Sequence, residues 1–321
     1  MRTNVLHQKA TEPEQISPAI IAGTVSKLRV SVVQYLNTAP LVWSFTKGPL
    51  RGKYELSFTV PSECAEALRS GRADVAIIPA IEYQRIPGLV ILPDLAIASK
   101  KTVRSLLLIS KAPIGQVRSV ALDSSSRSTQ ALTKILLERH WRAPAEFFEM
   151  APDLPVMLEK ADAALLIGDP ALRVSLEIAS EDPGPHADGR ICRLEQLGLP
   201  LAGSAFVYDV VEQWRAMTGL PAVLAVWAAR EEVVTGELAE NFQASRDLGL
   251  RKIREISDEW SPKLALPARE LERYLRENID FTLDAENVAG LKRYFQEAAK
   301  SGLLSGVKEL QLAGAGLLAK G

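Results

Sequence analysis

The sequence predicts an α/β protein of two lobes with a ligand cleft between them. Three observations carry that prediction. Apolar strand segments alternate with amphipathic helices twice, around Arg29–Ile109 and around Val117–Tyr208, which argues for parallel sheets covered on both faces. After Glu231 the pattern is wholly helical. Polar loops at Asn37, Ser126 and Asp169 stand where strands end and helices begin, the edge at which open sheets bind ligands. The expected division is a flexible N-terminal extension over 1–27, one lobe from 28–106 with 208–321, and a second lobe from 107–207.

The elements follow in order. Leu28 to Val33 is an apolar strand running into Gln34-Tyr35-Leu36-Asn37-Thr38-Ala39-Pro40, where Asn37 or Thr38 suits an N-cap and Pro40 the first helical turn. Leu41, Val42 and Phe45 give a short helix stopped by Lys47-Gly48-Pro49. Tyr54 to Val60 alternates and predicts a strand with one buried face. Pro61-Ser62 opens a helix that Gly71 stops, Asp74 to Ile78 is a buried strand, and Thr102 to Ile109 reads as a long strand with Ser105 near its start. Ser119 to Leu137 is the central unit: a strand through Val120–Leu122, a loop of hydroxyls at Ser124, Ser125, Ser126, Ser128 and Thr129, then a helix with Leu132, Ile135 and Leu136 on one face. Ala145–Glu149, a helix over Asp153–Lys160, and a strand over Ala163–Ile167 ending in Gly168-Asp169-Pro170 follow. Glu181 to Gly189 has the composition of an exposed loop. Ser204–Tyr208 is a strand, Asp209 caps a helix that stops at Thr218-Gly219, and Ala222–Trp227 is buried. Helical spacing then covers Glu237–Ile256, Pro267–Glu277 and Ala285–Ala299, with Val307–Leu318 either a last helix or a tail.

A chain of 321 residues buries one large core or two medium ones, and two is the expectation. Lys plus Arg (38) nearly balances Asp plus Glu (39), so no field points to nucleic acid or to an anionic membrane. No segment reaches transmembrane length, and Met1–Ser26 lacks the apolar run of a secretory signal, so a cytoplasmic protein is expected. Cys64 and Cys192 belong to no CxxC pair and read as structural thiols in a reducing compartment.

A hydroxyl-rich strand-to-helix turn supplies side-chain donors beside the unpaired N–H groups of a helix's first turn, a place that suits a carboxylate or phosphate. Ordinary capping with solvated serines is the alternative. No zinc signature, P-loop or GxGxxG is present, and the pattern calls for no metal and no cofactor. Three histidines occur, His7, His140 and His186, none in a strand-to-helix loop, which argues against a His-centred triad. Asp169 before Pro170 is a helix cap or a catalytic carboxylate, and Arg127 is an anion ligand or a solvated first-turn residue.

The run Val32-Val-Gln-Tyr-Leu-Asn-Thr-Ala-Pro-Leu41 resembles the opening of the chorismate dehydratase family of the futalosine menaquinone route. The resemblance continues through Gly71-Arg-Ala-Asp-Val-Ala-Ile-Ile-Pro79, Val103-Arg-Ser-Leu106, Leu122-Asp-Ser-Ser-Ser-Arg-Ser-Thr129, Leu166-Ile-Gly-Asp169, Tyr208-Asp209 with Trp214, and Thr218-Gly-Leu-Pro221. It departs from the family pattern at Lys100-Lys101-Thr102, at the Ser128-Thr129 order and at Ala222. It implies the fold of type II periplasmic solute-binding proteins and loss of water from chorismate to give 3-[(1-carboxyvinyl)oxy]benzoate. It further implies that Asn37 and Ser105 act at the reacting ring, that Ser126, Arg127, Ser128 and Thr129 form the carboxylate loop, and that Gly168 and Asp169 form the opposite wall. With so few protein bases, the enolpyruvyl carboxylate of the substrate is the expected base for the C3 proton. The rivals are an organic-anion binding protein without catalysis, disfavoured by the missing secretory signal, and the related dihydroxynaphthoate synthase, disfavoured by the positions of the histidines. The oligomeric state has no signature in the sequence.

Overall fold

The computed structural model describes residues 27–178, 189–197 and 203–313. The expected extension before Lys27, the loop over 181–188, His7, His186 and the end of the chain after 313 lie outside the described residues.

Among the described residues eleven strands form two sheets. The first has the order β2-β1-β3-β11-β4, from β1 (Arg29–Val33), β2 (Glu55–Thr59), β3 (Val75–Pro79), β4 (Leu89–Ser99) and β11 (Ala222–Arg230). The second has the order β7-β6-β8-β5-β10-β9, from β5 (Leu106–Ser110), β6 (Ser119–Asp123), β7 (Glu146–Met150), β8 (Ala163–Ile167), β9 (Arg190–Arg193) and β10 (Ser204–Asp209). The helices are α1 (Trp43–Thr46), α2 (Pro61–Arg69), α3 (Ala80–Arg85), α4 (Arg127–Ile135), α5 (Leu154–Lys160), α6 (Gly168–Ile178), α7 (Val210–Thr218), α8 (Gly236–Arg251), α9 (Ile253–Leu264), α10 (Ala268–Arg273) and α11 (Ala285–Lys300).

Both sheets are mixed, where strand–helix alternation predicts parallel ones. β1 pairs in parallel with β2 and β3, and β6 with β7 and β8. β11 lies antiparallel to β3 and β4, and β5 antiparallel to β8 and β10. β9 and β10 also pair antiparallel, β5 and β11 are the strands by which the chain enters the second sheet and returns to the first, and local periodicity carries no strand direction.

Alternate residues of β5 enter different cores, as a period of two requires: Leu106 and Leu108 join the larger cluster, Leu107 and Ile109 the smaller. The two cores do not divide by sheet. The larger runs from Val30 and Ile77 of the first sheet to Val120 and Leu165 of the second, and the smaller lies on the second sheet's other face with Met157 and Leu172's neighbour Ala171.

Several local expectations change. Asn37 and Thr38 are not caps: a 3-10 helix over Leu36–Val42 takes Tyr35 as its N-cap and carries both inside it. β2 is an edge strand with Phe58 exposed, not a half-buried one. The long strand expected from Thr102 begins only at Leu106, so Ser105 lies in the turn before it. The helix expected over Glu237–Ile256 breaks at Lys252. Of the expected tail, Val307–Ala313 is irregular and bridges β4 through Leu312 and Ile91. Cys64 and Cys192 are buried and not joined in a disulfide.

Candidate functional site

Three chain turns meet at the site. The first is the 3-10 helix after β1, whose Asn37 side chain is 8% exposed. The second is the turn before β5. There Arg104 adopts the left-handed region at φ 62°, a strained conformation for a residue with a β-carbon. Asp209, capping α7, holds that turn: one carboxylate oxygen accepts the N–H groups of Val103 (3.0 Å) and Arg104 (2.7 Å), the other those of Val211 (3.0 Å) and Glu212 (3.1 Å). Ser105 follows directly and is 1% exposed. The third is the start of α6, where Gly168 takes φ 67° and donates its N–H to the Ser105 carbonyl at 2.8 Å. Asp169 Oδ1 accepts the Leu36 N–H at 3.2 Å, which joins the third turn to the first.

Tyr274, in a π-helical turn over Tyr274–Asn278, lies between Asn37 and Ser105. Its hydroxyl donates to Ser105 Oγ at 2.9 Å, and the Asn37 side chain is near enough to act on its pKa. Burial raises the Tyr274 pKa well above the usual phenol range, although the contacts with Ser105 and Asn37 pull it down, so the group stays protonated. Burial likewise pushes Asp169 up to about 6, against the opposing Leu36 N–H and the charge of Arg173.

The hydroxyl loop after β6 is the second part. Asp123 Oδ1 accepts from the N–H (2.9 Å) and the hydroxyl (2.5 Å) of Ser125, and burial raises its pKa. Ser126 Oγ and Thr129 Oγ1 stand 3.1 Å apart, both buried, at the opening of α4. Tyr35 connects the two parts: its hydroxyl, pushed up to about 12 by burial, donates to Ser125 Oγ at 3.3 Å, and its ring lies against Gly168.

Asn37, Ser105, Gly168 and Asp169 are thus brought together, and Ser126 with Thr129 forms a pair that Tyr35 ties to them. Ser128 and Arg127 turn towards α3 instead. Ser128 Oγ accepts the Ile81 N–H at 3.0 Å, and its carbonyl accepts from Tyr294 at 2.9 Å. Arg127 is not a solvated first-turn residue: it donates to Glu82 at 3.1 Å, a carboxylate with 0% side-chain exposure that Arg69 and Arg85 also hold. Asp169 is not the N-cap of α6, the helix that its own segment opens, but it does accept the first N–H of the facing 3-10 helix, that of Leu36. It sits in the first turn of α6 and accepts from the facing segment.

Tyr35, Asp123 and Tyr274 are the participants that sequence reasoning passed over. The first two lie inside segments already singled out and carried a usable signal. Tyr274 is 169 residues from its partner Ser105 and carried none. His140 stands at the far end of the helix that Arg127 opens, about 20 Å along the axis at 1.5 Å per residue. Among the described residues no cluster of three or more His, Cys, Asp or Glu side chains suits a metal ion, and no helix is long and apolar enough to cross a membrane.

The arrangement offers hydroxyl and amide donors beside the carboxyl groups of Asp123 and Asp169, and its uncharged donors suit holding and orienting a small anion. Two sheets with such donors at the strand ends between them define a two-lobed protein of the periplasmic-binding-protein fold. Solved structures agree: the chain resembles protein AF1704 of Archaeoglobus fulgidus (TM-score 0.66, 19% identity, 87% of this chain and 98% of that one). It also resembles the periplasmic aliphatic sulphonate binding protein SsuA of Escherichia coli (TM-score 0.57, 15% identity, 90% and 94%). Residues 28–300 match the menaquinone biosynthesis family, and the chain belongs to that family. It is 30% identical over 265 residues to the chorismate dehydratase of Thermus thermophilus, covering 81% of this chain and 91% of the relative.

Proposed function

We propose that this protein is a chorismate dehydratase, a carbon–oxygen lyase that removes water from chorismate to give 3-[(1-carboxyvinyl)oxy]benzoate for menaquinone biosynthesis. The observation that carries the reading is the Asn37–Tyr274–Ser105 cluster. In a family member similar to a chorismate dehydratase, it groups neutral donors, with no histidine beside them among the described residues, and Tyr35 links their segment to the hydroxyl loop through Ser125.

The reaction breaks the C3–H and C4–O bonds and gains an aromatic ring. The substrate's enolpyruvyl carboxylate takes the C3 proton. The C4 hydroxyl leaves with the bonding electron pair and collects that proton as water, which regenerates the carboxylate. Ser126 and Thr129 hold one substrate carboxylate, with Ser128 and Arg127 fixing the loop on α3. Asn37 and Ser105 orient the side chain and hydrogen-bond the departing hydroxyl, while Gly168 and Asp169 form the facing wall. Positioning of this kind supplies on the order of 7–11 kcal/mol, which a site without a strong base needs. The lobes, 28–106 with 208–321 and 107–207, close over the substrate and exclude water. The protein works in the cytoplasm, on a small-molecule substrate alone.

Incubation of the purified protein with chorismate, followed by ultraviolet spectroscopy and chromatography, tests this directly. The expected result is an aromatic enol ether with loss of chorismate. Binding without any aromatic product overturns the reading and leaves an organic-anion receptor.

A further inference from the structure

We propose that Tyr274 is a positioning residue of the site, one that turns the hydrogen of Ser105 towards the departing hydroxyl. The inference rests on the dehydratase reading above and adds a residue to it.

The single hydrogen of the Tyr274 hydroxyl goes to Ser105 Oγ at 2.9 Å. Ser105 Oγ is then an acceptor from Tyr274, and its own hydrogen must point elsewhere. No acceptor for that hydrogen exists among the described residues, although the side chain is buried. A buried donor without a partner is costly unless a ligand supplies the acceptor. The C4 hydroxyl of chorismate is such an acceptor, and it becomes a better one as C4–O breaks and negative charge gathers on oxygen.

The pair Tyr274 to Ser105 runs in one direction and ends at the leaving group, so the bond from the phenol polarises the serine hydroxyl. Its members keep their protons: Ser105 holds the hydroxyl through the transition state, and the departing oxygen takes its proton from the substrate carboxyl group. The π-helical turn over Tyr274–Asn278 fits this role, because the extra residue re-aims a side chain and such turns gather at functional sites.

The test is a double-mutant cycle in kcat and KM for chorismate with Ser105→Ala, Tyr274→Phe and the two combined. Y274F is expected to lower kcat about tenfold, with KM within about twofold, since one oriented hydrogen bond is lost from the transition state. In the S105A background Y274F should change kcat by less than about twofold, because its effect passes through Ser105. An equal loss in both backgrounds, or none in the native one, overturns the proposal while the dehydratase reading stands. A native protein that forms no aromatic product overturns both. Replacement of Tyr274 by 3-fluorotyrosine covers the case in which Y274F fails to fold. It keeps ring and hydroxyl but strengthens the donor, and it should alter kcat with Ser105 present and leave it unchanged in S105A. An unchanged kcat in both overturns the proposal.

Discussion

Gly168 lies so close to Tyr35 that a β-carbon on the glycine would come within 2.9–3.0 Å of three ring carbons of the tyrosine. The contact joins the end of β8 to the end of β1, and Gly168 holds it with a backbone in the left-handed region. Gly168→Ala combines that strain, about 1–2 kcal/mol, with a displaced Tyr35. Turnover of chorismate by G168A is expected to fall at least about tenfold, with a modest fall in melting temperature; a variant with native turnover refutes the contact's role.

Asp169 gives the protein a pH signature. Its folded pKa of about 6 lies above the unfolded value near 3.9, so the folded state holds the proton more tightly. That stabilisation is complete below about pH 4 and is lost as the pH rises through about 6, on the order of 2–3 kcal/mol in all. Urea unfolding of native protein and Asp169→Asn at intervals from pH 4 to pH 7 measures it. The difference between the two should move steadily against the native chain over that range, and a constant difference disproves the assignment.

Asp209 fastens the turn of Ser105 to the cap of α7 through four backbone N–H groups. Asp209→Ala leaves those donors without their acceptor and releases the strained Arg104. The unfolding free energy is expected to drop by about 2–4 kcal/mol, and kcat should fall with it. Denaturant titration and steady-state kinetics on the same preparation check both.

Gly249 of α8 lies against the 3-10 helix that carries Asn37, and a β-carbon there would sit 1.9 Å from the Pro40 carbonyl oxygen. Because the obstacle is backbone, α8 must move bodily. Gly249→Ala should cost roughly 3 kcal/mol in urea, whereas Gly115→Ala, whose β-carbon would meet nothing within 4 Å, should be close to native.

These residues also show what a sequence discloses. The strand ends at Asn37 and Asp169 and the hydroxyls of Ser126 and Thr129 were legible, because periodicity marks the elements and the residues between them are polar. Ser105 was legible as a residue but not as a turn: the apolar run Leu106–Ile109 absorbs its neighbours into one apparent strand, and only the Asp209 carboxylate reveals where the strand starts. The partner of Arg127 was invisible, since Glu82 lies on a distant helix. The direction of β11 and the bond from Tyr274 to Ser105 depend on long-range contacts that no local pattern records.

The place of β11 has a consequence for how the chain is made. Both β3 and β4 bond to β11 rather than to each other, and β11 is supplied only when residues 222–230 are available. On a ribosome, the first four strands emerge with a gap down the middle of their sheet, and the entire second sheet is synthesised before the gap is filled. Any chain cut short ahead of Ala222 is left with two raw strand edges, ready templates for aggregation.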